Sequence, residues 1–150
     1  MAIVFFSLGS NLGNRDQHLC DARKAIQIEV GEIIIASSIY ENEAVGFDGN
    51  PFLNQVIKVK TALSPESLLQ KIQEIEKRMG RLQKTIIQNG MPIYSNRIID
   101  IDILLYDDLK IDTETLTIPH ARMQEREFVM KLLKEITNNI CYKKNTSCNI

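Results

Sequence analysis

Apolar positions along this chain fall into short continuous runs and helix-spaced stripes, and the two kinds alternate. Residues 3–8 predict a buried first strand. It ends in the turn-rich run Gly9-Ser10-Asn11-Leu12-Gly13-Asn14, which can cap a helix from about Arg15 to Ile28. Leu19, Ala22 and Ile26 share one face of that helix. Residues 33–40 predict a second strand. Residues 43–51 form a loop whose length suits binding better than a tight hairpin. Residues 52–61 alternate well enough for a third strand, with Asn54 a short amide inside it. Ser64-Pro65-Glu66 starts a helix, Leu68, Leu69, Ile72, Ile75 and Met79 mark its buried stripe, and Gly80 is placed to end it.

From Arg81 to Asn96 the periodicity dissolves, which predicts a long loop of the kind that covers or binds. Residues 97–106, Arg-Ile-Ile-Asp-Ile-Asp-Ile-Leu-Leu-Tyr, are the most strand-like run in the chain. Asp107-Asp108 make a turn, and residues 110–118 read as one or two short strands ending at Pro119-His120. Residues 122–136 predict a third helix with Val129, Leu132, Leu133 and Ile136 facing inward, and residues 138–150 a frayed tail. Strand, helix, strand, strand, helix, strand is the βαββαβ pattern of a ferredoxin-like α+β fold, an antiparallel-rich sheet with helices packed on it. The length suits one domain spanning residues 1–150.

The chemistry begins on the last core strand. Residues two apart in a strand share a face, so Asp100 and Asp102 project side by side, about 6–7 Å apart. Ile99, Ile101, Ile103 and Leu105 line the opposite face and predict core, while Ile98 and Leu104 bracket the acids. Two like charges walled by apolar neighbours are poorly solvated; one takes up a proton or a cation sits between them. Hard divalent ions prefer carboxylate oxygen, and Mg²⁺ is commonly held by one or two carboxylates with water and substrate phosphates. A half-buried strand with an acidic outer face is the plainer reading of the pair alone.

Composition narrows the classes. An apolar content of 44% with 25% charged residues is that of a soluble globular protein, and a net charge of −1 offers no general attraction to nucleic acid or an anionic membrane. No apolar run approaches the ~18 residues of a membrane helix. Cys20, Cys141 and Cys148 have no metal-type spacing, so reduced thiols and a cytoplasmic location are expected. The basic residues Arg81, Lys84, Arg97, Arg126 and His120 can complement the acids by neutralising phosphate oxygens. Singly, each basic residue reads better as a solvated charge, and His120 reads equally well as a structural histidine. Together they point to transfer of a phosphate group by positioning and charge stabilisation. A palm-type nucleotidyl transferase and a non-catalytic ferredoxin-like metabolite-binding module are the other readings.

Ser7-Leu8-Gly9-Ser10-Asn11-Leu12-Gly13-Asn14, Phe52-Leu53-Asn54, Gly80-Arg81, residues 97–104 and Thr117-Ile118-Pro119-His120 occur in the order and spacing of one family. The chain resembles the 6-hydroxymethyl-7,8-dihydropterin pyrophosphokinases of folate biosynthesis from about residue 1 to 136. The resemblance implies transfer of the β,γ-pyrophosphate of ATP to the hydroxymethyl group of the dihydropterin, releasing AMP, with two Mg²⁺ ions and ATP as co-substrate. It implies metal ligands at Asp100 and Asp102 and catalytic charge stabilisation by Arg81 and Arg97. ATP contacts are implied at Gln73, Glu76, Lys84, Arg97, Ile103, Thr117, His120 and Arg126. The pterin is implied to lie between Phe52 and Phe128, read at its edge by Asn54, with Asn42, Glu43 and Val45 completing the pocket. A monomer with no nucleic-acid or membrane partner is expected. The chain departs from the family pattern at Gln83 and Asn96, in lacking tryptophan, and in a longer loop between Arg81 and Arg97.

Overall fold

A computed structural model describes residues 1–42, 50–80 and 98–137 in full, and residues 86–88 and 91–93 by their backbone. Strand β1 (Ala2–Ser10) runs through the sheet interior, with α1 (Arg15–Glu29) after it. Then come β2 (Gly31–Ala36), β3 (Tyr40–Asn42), β4 (Phe52–Thr61) and α2 (Pro65–Arg78). After the short strands β5 (Ile86–Gln88) and β6 (Met91–Ile93) follow β7 (Asp100–Tyr106), β8 (Ile111–Asp112), β9 (Thr117–Ile118) and α3 (Glu127–Thr137). The main sheet has the order β2-β4-β1-β7, with β3 also on β4 and every pairing antiparallel. That is the ferredoxin-like arrangement the element order predicts.

Two apolar layers hold the sheet. The even residues of β1 (Val4, Phe6, Leu8) join Leu53, Ile57 and Val59 of β4 under α1 and α2, which contribute Leu19, Ala22, Ile26, Leu68, Ile72 and Ile75. On the other face Val56 and Leu104 pack beneath α3 through Val129, Leu132, Leu133 and Ile136. Each fully buried isoleucine contributes about 1.5–3 kcal/mol, so Ile99, Ile101 and Ile103 anchor the acidic strand firmly into the larger layer. Among the described residues no helix is long and apolar enough to cross a membrane.

Local signals act as their chemistry dictates. The Ser64 side chain accepts from the Ser67 N–H, with Pro65 opening α2, and Gly80 takes the positive φ of +106° that ends it. Asp107 adopts φ +49° and its carboxylate accepts the Ile3 N–H at 2.7 Å, closing the turn after β7 onto β1.

Several expectations are corrected. Leu105 does not face the larger core. The β1–β7 register shifts between Phe5 and Phe6, pairing Phe5 with Leu105 and Phe6 with Ile103, so Leu104 is the extra residue of a bulge. Tyr106 therefore takes the core position and Leu105 packs in the smaller layer. The second strand is two strands, broken at residues 37–39. The third helix begins later: Met123–Glu125 is a 3₁₀ turn, and Arg126 has extended backbone before α3. The long loop contains the hairpin β5–β6. Glu43, Val45, Arg81, Gln83, Lys84, Asn96, Arg97 and the tail 138–150 with Cys141 and Cys148 lie outside the described residues. Cys20 is buried with a free thiol.

Candidate active site

Register brings Asn54, Asp100 and Asp102 onto one sheet face. Gly9 of β1 stands opposite Asn54 on one side and Asp100 on the other, and Ser7 stands opposite Asp102. Strands lie about 4.8 Å apart, so Asn54 and Asp100 are about 10 Å from each other with Gly9 between them. A Cβ on Gly9 would lie 3.4 Å from the Asn54 side-chain oxygen and 3.5 Å from the Phe52 ring. The missing side chain thus leaves a floor bordered by Phe52 and Asn54 on one side and the acids on the other.

Asp100 and Asp102 are both partly buried and project from the face opposite Ile101, as the alternation predicts. The Asp102 side chain is only 12% exposed, with Arg126 Nη1 3.4 Å from one carboxylate oxygen and His120 Nε2 3.9 Å from the other. His120 is held in place by its N–H donating to the Leu104 carbonyl at 3.0 Å. The Arg122 N–H donates to His120 Nδ1 at 3.2 Å, which leaves the proton of the neutral ring on Nε2, facing Asp102. Both contacts set positive or proton-donating groups beside the Asp102 carboxylate. Hard oxygen donors side by side on a rigid strand fit Mg²⁺. Among the described residues no third His, Cys, Asp or Glu completes a protein-only cage.

Asn54 presents the same face. Its amide nitrogen donates to the Tyr40 carbonyl at 3.2 Å and, by a short contact, to Asn42 Oδ1. Phe52 and Phe128 are each half-buried, Phe52 on β4 and Phe128 on α3, which packs over this sheet face. Gln73 is exposed on α2, and Thr117 is half-buried on β9 opposite Asp112.

Two of the residues expected to contact the nucleotide have buried side chains. Ile103 is 5% exposed and packs in the larger core, because it sits on the opposite face of β7 from the acids. Glu76 is 3% exposed and its carboxylate accepts the Ile101 N–H at 2.7 Å, so it grips the backbone between the two aspartates.

Periodicity did not reveal the polar contacts that tie Glu41, Asn50 and Pro51 to the end of β1 and the start of α1. Asn11 Nδ2 donates to the Asn50 carbonyl at 3.0 Å, and Asn50 Nδ2 donates to the Asn11 carbonyl at 3.2 Å. Arg15 bridges Glu41 at 2.7 Å and the Pro51 carbonyl at 2.9 Å. The Gly-Ser-Asn turn was the available signal, since its amide has no intrahelical partner to satisfy.

The family model 7,8-dihydro-6-hydroxymethylpterin-pyrophosphokinase (HPPK) matches residues 5–138. The 2-amino-4-hydroxy-6-hydroxymethyldihydropteridine pyrophosphokinase of Porphyromonas gingivalis is 42% identical over 138 residues, covering 91% of each chain. The enzyme of the same name from Aquifex aeolicus is 41% identical over 144 residues, covering 95% of this chain and 84% of its own. The crystal structure of wild-type Plasmodium falciparum HPPK-DHPS with pteroate matches with a TM-score of 0.69 at 18% identity. That match covers 89% of this chain and 40% of the longer one, and it supports the fold.

Proposed function

The chain belongs to the 7,8-dihydro-6-hydroxymethylpterin-pyrophosphokinase family, and on that premise we propose how its own residues carry the reaction. It is a pyrophosphokinase of folate biosynthesis. Membership sets aside the palm-type nucleotidyl transferase and the non-catalytic module. In our reading the β,γ-pyrophosphate of ATP passes to the hydroxymethyl group of 6-hydroxymethyl-7,8-dihydropterin, AMP leaves, and residues 1–150 act as one domain. The observation that supports this best is the cross-strand row Asn54–Gly9–Asp100, which sets a heterocycle-reading amide about 10 Å from a carboxylate pair.

Asp100 and Asp102 would hold two Mg²⁺ ions with the triphosphate. When bound, these ions supply charge neutralisation and alignment of the phosphates. Arg126 and His120, which lie near Asp102, would turn to phosphate oxygens, with Arg81 and Arg97 taking the same role by family resemblance. Phe52 and Phe128 would stack the ring from either side and Asn54 would read its edge, with Asn42, Glu43 and Val45 around it. Gln73, Lys84 and Thr117 are nucleotide contacts by resemblance alone. Incubating purified protein with ATP, Mg²⁺ and the reduced pterin should yield AMP and the pterin pyrophosphate in equal amounts. Absence of both products refutes the assignment.

Truncating Phe128 tests the pterin side. Phe128→Ala should weaken pterin binding by about tenfold or more through loss of aromatic stacking area, while calorimetry with an ATP analogue shows little change. Equal loss of both ligands would make Phe128 a packing residue instead.

A further inference from the structure

The break between β2 and β3 is built. From Ala36 to Tyr40 the outer strand advances four residues, while its partner β4 advances three, from Ile57 to Asn54. The extra residue forms a bulge whose polar groups are nearly all engaged. The Ser37 N–H donates to the Val56 carbonyl at 2.8 Å, and the Val56 N–H donates to Ser37 Oγ at 2.9 Å. The Ser37 hydroxyl itself donates to the Ser38 carbonyl at 2.8 Å. Ser38 then turns outward, and both of its donors go to one side chain of α3. Its N–H reaches Glu135 Oε2 at 2.9 Å and its hydroxyl reaches Glu135 Oε1 at 2.7 Å.

A second contact joins the same elements. Lys131 Nζ lies 5.1 Å from the centre of the Tyr40 ring, at the first residue of β3. Phe128, Lys131 and Glu135 are spaced three and four apart on α3, so they share one side of the helix. The side that carries the aromatic also carries both grips on the outer strand. That strand continues into Asn42, whose amide oxygen holds the Asn54 nitrogen. Fixing α3 against β3 therefore fixes Phe128 relative to Asn42 and Asn54.

We propose that Glu135 is a positioning residue for the pterin, setting the width of the slot between α3 and the β3–β4 edge through its paired hydrogen bonds to Ser38. The inference rests on the assignment of Phe52, Asn54 and Phe128 to pterin binding. Charge-assisted bonds to a backbone N–H and a hydroxyl of one residue define both distance and orientation, which a single apolar contact does not. In this role the carboxylate acts through Ser38 rather than on a substrate, so its effect is confined to the ring whose walls it spaces.

The test is calorimetry of the reduced pterin, in the presence of Mg²⁺ and a non-hydrolysable ATP analogue, beside calorimetry of the analogue itself. Glu135→Ala should weaken pterin binding and raise its KM about tenfold, leaving analogue affinity and kcat at saturating pterin within about twofold. Glu135→Gln keeps an acceptor oxygen and should recover most of the loss. Ser38→Ala should weaken pterin binding by itself but add little in the Glu135→Ala background, because both changes remove one shared contact. If Glu135→Ala does not fold, Ser38→Ala carries the same comparison. Unchanged pterin affinity in these variants, or parallel loss of pterin and analogue without rescue by Gln, would overturn the proposal. An unaltered protein that binds the analogue but no pterin would instead remove the pterin assignment beneath it.

Discussion

Replacing Asp102 with alanine should lower AMP formation by about a thousandfold or more while the protein stays folded. The large kinetic effect follows from geometry. Asp100 and Asp102 are side by side on a strand anchored from behind by Ile99, Ile101 and Ile103. Two carboxylates supply only part of a Mg²⁺ shell, so removing one removes much of what would hold the ion without substrate. The small structural effect follows from the same arrangement. Asp102 contributes long contacts to Arg126 and His120, at 3.4 and 3.9 Å, and its loss also relieves repulsion of Asp100. A melting temperature within a few degrees of the unaltered protein is expected. Asp100→Ala should behave alike, and Asp102→Asn, which keeps the shape and removes the charge, should be nearly as inactive. Initial rates of AMP release beside thermal melts measure both halves. Unimpaired turnover in either alanine variant would exclude the metal role.

Glu76→Ala should cost both stability and turnover although Glu76 is buried away from the open face of the site. Ile101 pairs with Leu8 on one side of β7, and β7 is an edge of the main sheet. Glu76 supplies an acceptor to the Ile101 N–H at 2.7 Å, on the side of β7 where no further strand pairs among the described residues. Removing it leaves a buried N–H without that acceptor, which costs about 1–3 kcal/mol, and adds a cavity beneath the strand. Both aspartates are immediate neighbours of Ile101, so looseness there spreads directly to the carboxylates. Losses of about 10–100-fold in turnover are typical when the residues that orient ligands are removed. Glu76→Gln retains an acceptor and should keep most of the activity. Amide exchange at Ile101 should accelerate in the alanine variant. Unchanged exchange together with unchanged turnover would show that Glu76 does not hold the strand.

Several features that no local period predicts share one cause. Leu105 was expected in the larger core because strict alternation puts it with Ile103, and a bulge at Leu104 moves Tyr106 there instead. Glu76 and Arg23 are helix charges whose burial no local period shows. Both are 3% exposed, Glu76 under β7 and Arg23 donating to Gln55 Oε1 on β4. Burial pushes the Arg23 guanidinium below its ordinary pKa, with Cys20 and Asp16 opposing that shift. Ser37 and Ser38 carry no breaker signal, since either hydroxyl is at home in a strand; the bulge exists because Glu135 and Val56 accept and supply its hydrogen bonds. In each case the deciding partner is remote in the chain, and a local period contains no term for it.

Local chemistry along the chain was enough to determine the order of the core βαββαβ elements, the caps of α2, and the projection of Asp100 and Asp102 to one side of their strand. These depend on periods of two and 3.6 residues and on backbone groups that neighbours satisfy. Tertiary structure alone decided that Gly9 lies between Asn54 and Asp100, that Glu76 grips the acidic strand from beneath, and that Glu135 ties α3 to the outer strand. Register and burial arise from pairing of segments distant in sequence, and only the folded sheet brings those partners within a hydrogen bond's reach.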